Sequence, residues 1–224
     1  MITYYDNRPY PIPRLHPYVA ANAQQHGYVD FKTCPESIEA TLEDFSPYAH
    51  RQAVQTFYSL IRELNGPNSH LETSDCALRA PSGHQDANSA LPVAIEGRLV
   101  LLYRHLPYNG MDQTVRWLCG TLMSILNTVD PVFPASEAVV GFTLNPVIQV
   151  ALSKGEWVSD SDFSCAEDDP GHGQHLMLNF WAYGRDEDHA FESLDRLFRN
   201  LQMACGQLNQ NIETALAEAA EQKP

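Results

Sequence analysis

The sequence predicts an α+β fold: a single domain with a small antiparallel or mixed sheet of the split β-α-β kind, packed with helices and closed by a long C-terminal helix. Three observations predict it. Residues 98–104 (RLVLLYR) are continuously apolar in the middle, as in a strand buried on both faces. From there the pattern runs strand, helix, strand, strand, helix, the order of a split β-α-β unit. Finally, Phe191, Leu194, Leu197, Phe198, Leu201, Cys205, Leu208 and Ile212 recur at helical spacing.

Residues 1–32 hold Pro9, Pro11, Pro13 and Pro17 beside Tyr4, Tyr5, Tyr10 and Tyr18. Proline fixes φ and removes donors, so this arm should run extended, partly as polyproline II, with its tyrosines packed across a body. Thr33-Cys34-Pro35-Glu36 reads as a capping box opening a helix. Ser46-Pro47 restarts it, and Val54, Phe57, Tyr58, Ile61 and Leu64 form its apolar stripe. Asn65-Gly66-Pro67 stops it.

Residues 66–92 read as a long polar loop with a short strand at Cys76–Arg79. Glu96-Gly97 offers a hairpin turn between Val93–Ile95 and the strand at 98–104. A second helix is expected from Met111 to Val129, ended by Asp130-Pro131, on the same side of the sheet as the first. Residues 138–152 suit one bent strand or two, with Pro146 at an edge or bulge because it cannot donate to a ladder. Residues 153–175 read as an acidic loop, and Leu176–Tyr183 as a strand. Asp186 is placed to cap the final helix, with Glu187 and Asp188 at its positive end. Gly206 is a candidate break, and the stretch from Glu213 should project or fray. The organisation is thus an arm (1–32), one domain (33–212) and a helical tail (213–224).

With 224 residues and 44% hydrophobic side chains, the chain can bury a real core. It carries 28 acids against 14 bases, unevenly: residues 1–110 hold 11 and 8, residues 111–224 hold 17 and 6. An acidic surface repels phosphate backbones and anionic lipid, so direct nucleic-acid or membrane binding is not expected. The same field speeds encounter with a basic protein. The five cysteines are an odd number with no Cys-x-x-Cys pair, which suits reduced thiols. No secretory leader and no run of 18 apolar residues is seen, so the expected compartment is the cytoplasm.

The densest chemistry lies in DSDFSCAEDDPGHGQH, residues 160–175. Six acids (Glu156, Asp160, Asp162, Glu167, Asp168 and Asp169) follow one another with no base between them. Unscreened, they repel one another, so a cation or a basic partner is the natural complement. Hard carboxylates hold Mg²⁺, Mn²⁺ or Ca²⁺, and imidazole suits Zn²⁺. The spacing nonetheless matches neither a zinc finger nor a calcium loop, and His172-x-x-His175 is not H-E-x-x-H. Asn179, Trp181 and Tyr183 share one strand face and would form a recognition surface unless a helix covers them. Cys76 with His84 and Asp86 is a conceivable thiol–imidazole–carboxylate set, but a buried structural cysteine is commoner. G-x-S-x-G, G-x-x-x-x-G-K and G-x-G-x-x-G are all missing.

The function expected from these residues is a non-enzymatic interaction module without a cofactor, of the neutralising-inhibitor type, whose acidic surface binds a basic protein. Its binding residues would be the six acids of 156–169 with Trp181, Tyr183, Asp186, Glu187 and Asp188. One alternative is a metal-assisted hydrolase holding a divalent ion on Asp168, Asp169, His172 and His175. The other is a structural subunit that forms a homodimer through the apolar side of the last helix (Ile212, Ala215, Leu216, Ala219).

Overall fold

The computed structural model describes residues 1–6, 14–18, 29–83, 90–151 and 172–221. Seven strands form one sheet: β1 (Ile2–Asp6), β2 (Arg14–Tyr18), β3 (Leu71–Leu78), β4 (Ser82–Gly83), β5 (Val93–Tyr103), β6 (Ala138–Ala151) and β7 (His172–Gly184). The order across it is β1-β6-β7-β5-β3, with β2 on the same edge of β6 as β1 and β4 on β5. β6, β7, β5 and β3 are antiparallel neighbours, whereas β1 and β2 run parallel to β6. The helices are α1 (Ile38–Thr41), α2 (Gln52–Asn65), α3 (Asp112–Val129) and α4 (Glu187–Glu221). β5 and β6 both run against β7 and are joined by α3, which is the expected split β-α-β unit.

The side-chain alternation of the strands decides where the core sits. Leu99 and Leu101 of β5, Val140 and Phe142 of β6, and Leu178, Phe180 and Ala182 of β7 are fully buried on one face. α2, α3 and α4 all pack against that face, α4 in the middle with α2 and α3 on its flanks. The centre is aromatic. Phe57 stacks on Phe45 at 4.7 Å, and Phe198 meets Phe57 at 4.7 Å and the edge of Phe180 at 5.1 Å. Each such ring contributes about 1.5–3 kcal/mol of burial.

Several expectations are corrected. Residues 66–92 contain an eight-residue strand, β3, rather than a long loop. Its period is broken in the sequence because the register shifts between Thr73 and Asp75; the bulge moves the apolar positions from Leu71 to Cys76 and Leu78. Glu96-Gly97 turns no hairpin, and β5 runs straight through it. Gly97 is there for space: a Cβ would lie 2.3 Å from the Ala77 carbonyl oxygen and 2.5 Å from the Phe180 ring. No capping box forms at Thr33. Its hydroxyl donates to the Asp30 carbonyl at 3.1 Å, and the Asp30 carboxylate takes the Lys32 N–H at 2.9 Å, an Asx turn. A 3-10 turn at Pro35–Ser37 follows instead.

The acidic segment of 153–175 ends earlier than expected, because β7 begins at His172 and pairs with β6 from Ile148 to Ala138. Pro146 falls where β6 has no parallel neighbour, between the register of β1 (to Thr143) and that of β2 (from Val147). Gly206 does not break α4, which runs 35 residues. Burial of Cys205, Leu208 and Ile212 outweighs the roughly 1 kcal/mol a helical glycine costs. Beyond Ile212 no residue of α4 is buried.

Candidate interaction surface

Glu156, Asp160, Asp162, Glu167, Asp168 and Asp169 lie outside the described residues. The other five candidates stand where β7 passes into α4. Asp186 is the N-cap of α4: its carboxylate accepts the His189 N–H at 2.8 Å, and its carbonyl accepts the Ala190 N–H at 3.0 Å. His189 answers through Nδ1, which accepts the Arg185 N–H at 3.2 Å. Glu187 and Asp188 in the first turn both accept from Arg51, at 3.0 and 2.5 Å. Arg51 also lies over the Phe191 ring at 4.8 Å, and the Asp188 carboxylate raises its pKa further. These two acids therefore have an internal cation, while staying half to three-quarters exposed.

Trp181 and Tyr183 project from the sheet face opposite the helices and are half-buried, as is Asn179 between them. Among the described residues no helix covers them, since α2, α3 and α4 all pack on the other face. Trp181 Nε1 donates to Glu96 at 3.2 Å, and Glu96 is held by Arg79 at 2.6 Å. One row further, Arg98 donates to both oxygens of Asp75, at 2.7 and 3.3 Å. This end of the face is a ladder of aromatic and charged groups on neighbouring strands, and beyond it Val100, Leu102 and Met177 are buried on the same side.

The ion pairs among the described residues decide how much of their negative charge is left over. Ten Lys and Arg side chains are described, and eight are paired with the chain's own acids: Lys32, Arg51, Arg62, Arg79, Arg98, Arg116, Arg196 and Arg199. The Arg196–Asp130 pair is bidentate at 2.6 and 2.9 Å and holds the Asp130 carboxyl below its usual range. Among the described residues only Arg104 and Arg185 make no such pair. By contrast Glu36, Glu43, Asp44, Glu192, Glu213 and Glu218 are exposed and have no Lys or Arg within ion-pair distance among the described residues.

The other constellations are not brought together in the described residues. His172 and His175 both lie in β7, and positions three apart in a strand fall on opposite faces, so the strand alone does not converge them. Asp168 and Asp169 are outside the described residues, as are His84 and Asp86. Among the described residues no three His, Cys, Asp or Glu side chains gather as a metal site. Burial pushes the Cys76 thiol up to about 12, away from the thiolate a nucleophile needs. No helix among the described residues is long and apolar enough to cross a membrane.

Comparison of the chain with family models, with curated proteins and with solved structures finds no match. The reading of function therefore rests on the chain's own residues.

Proposed function

We propose that this protein is a protein-binding module, of the neutralising-inhibitor type, whose acidic surface engages a basic protein. The observation that carries this is that most of its described cations are already engaged. Eight of ten described Lys and Arg side chains are already ion-paired, yet exposed carboxylates remain at Glu36, Glu43, Asp44 and along α4. Six more acids occur between Glu156 and Asp169 with no base among them. Charge that the chain cannot answer internally is answered by a partner, and such complementarity sets encounter rate and partner choice. Trp181 and Tyr183 beside the α4 start supply the aromatic anchors such an interface uses.

The test is zero-length carboxylate–amine cross-linking of the protein in lysate of its native source, followed by reconstitution of the recovered complex. The expected result is a stoichiometric basic partner joined at residues 156–169 or 186–192. Its affinity should fall steeply as salt rises past physiological strength, where the screening length is about 8 Å. A complex indifferent to salt, or the lack of any stoichiometric partner, removes the proposal.

A further inference from the structure

One cation stands apart from this acidic surface. Arg104 follows the last residue of β5 and makes no ion pair. Its Nη2 donates to the Gly66 carbonyl at 2.8 Å, while its Nε–H is shut away from solvent without an acceptor. It lines a cleft of about 390 Å³ at the end of the sheet, beneath the tail of α4. That volume lies within the range of small-molecule sites.

The walls of this cleft divide by chemistry. One side is polar and cationic or aromatic: Arg104, His70, His105 and Tyr108. The other is aliphatic: Ile212 and Leu216. No carboxylate is among its described lining residues, in a chain with twice as many acids as bases. The walls are also fixed in place. Asn109 holds Tyr103 by both backbone groups, at 2.8 and 2.9 Å. Asn209 of α4 accepts the His70 N–H at 2.9 Å, and the His105 ring meets the Tyr108 edge at 4.5 Å. Preorganised donors of this kind lose little entropy on binding.

We propose that this cleft binds a small organic anion, its carboxylate or phosphate group on Arg104 and its apolar body between Tyr108 and the Ile212–Leu216 side of α4. An arginine without an acidic partner inside an acidic chain is a strong local complement to an anion, because its charge is permanent and its remaining Nη N–H groups donate charge-assisted hydrogen bonds. The cleft is a site distinct from the acidic surface and takes a ligand of the opposite charge.

Titration of the full chain with benzoate and, separately, with phenyl phosphate at fixed ionic strength tests this, with benzyl alcohol as the neutral control. Amide NMR shifts and the melting temperature are the readouts. At least one anion should saturate with a Kd of about 1 mM or tighter. Shifts should cluster at residues 69–70, 103–109 and 212–216, and benzyl alcohol should not saturate. Tighter benzoate binding marks a carboxylate site, and tighter phenyl phosphate binding a phosphate site. Arg104→Gln should weaken the binding by about tenfold or more, the scale of one lost charge-assisted hydrogen bond. Leu216→Asp places a carboxylate on the aliphatic wall at a half-exposed position and leaves the Arg104 bonds intact, so it reports even if Arg104→Gln unfolds. The proposal falls if neither anion saturates, if benzyl alcohol binds as well, or if Leu216→Asp changes neither affinity.

Discussion

Where Glu96–Arg98 of β5 lies beside Asn179–Tyr183 of β7, the two faces of the sheet are built on opposite principles from alternate residues of the same strands. On β7, Leu178, Phe180 and Ala182 are fully buried under the helices, while Asn179, Trp181 and Tyr183 between them are half-buried on the other side. On β5, Leu99 and Leu101 face the helices, while Glu96 and Arg98 face away and pair across strands with Arg79 and Asp75. The helix face excludes water and is held by contact area. Here the far face keeps its charges in pairs and leaves Trp181 partly exposed. The contrast holds at this end of the sheet; further along β5 and β7, Val100, Leu102 and Met177 are buried on the far side as well, as a strand apolar on both faces requires.

The largest expected effect breaks the helix face. Phe57→Ala removes the ring that joins Phe45, Phe180 and Phe198, and should cost about 3–5 kcal/mol in denaturant unfolding. Gly97→Val comes next. Its Cβ meets the Ala77 carbonyl and the Phe180 ring, so β3 must shift, at about 1–3 kcal/mol. If it is silent, the close approach of β3 to β5 is not what that glycine provides.

On the far face the expected effects are small. Asp75→Asn leaves Arg98 half-exposed with a weaker partner and should cost less than about 1 kcal/mol. Trp181→Phe removes one hydrogen bond to Glu96, on the order of 1 kcal/mol or less, and should instead weaken partner binding. A large loss of stability from either variant would mean that this face is structural, and the contrast would collapse.

The smallest effect is a pH dependence. Arg196 holds the Asp130 carboxyl below the ordinary value of 3.8 in the folded protein. That contribution is therefore fully present above 3.8 and is lost as the pH falls through the lower folded value. Asp130→Asn should lower stability slightly near neutrality, flatten the acid limb in that window and converge with the parent below it, as urea melts across pH would show.

Much of this architecture was legible because it is written in periodicity. The stripes from Val54 to Leu64, from Met111 to Val129 and from Phe191 to Ile212 predict α2, α3 and α4, and Asp186 caps α4 as its chemistry requires. β3 was legible only at its end, from Cys76 to Leu78, since the bulge after Thr73 puts Leu71 and Cys76 out of phase. Gly97 misled because a glycine needed for close packing looks, in sequence, like one needed for a turn. Of the acidic surface, the excess of carboxylates was plain, but Arg51 gave no sign that it would answer Glu187 and Asp188 across 136 and 137 positions. The cleft at Arg104 was missed altogether. Its one signal is Arg104-His105 at the exit of an apolar strand, and His70 and Leu216 reach it only through the fold.

The sequence by itself determined which segments are helix, where the apolar faces lie and that the chain carries more negative charge than it can neutralise, because those follow from local spacing and composition. Only the tertiary structure decided which acids meet which arginines, which sheet face the helices leave uncovered and that one arginine would be left beside two imidazoles. Those depend on strand order and on contacts between residues far apart in the chain, for which local spacing carries no code.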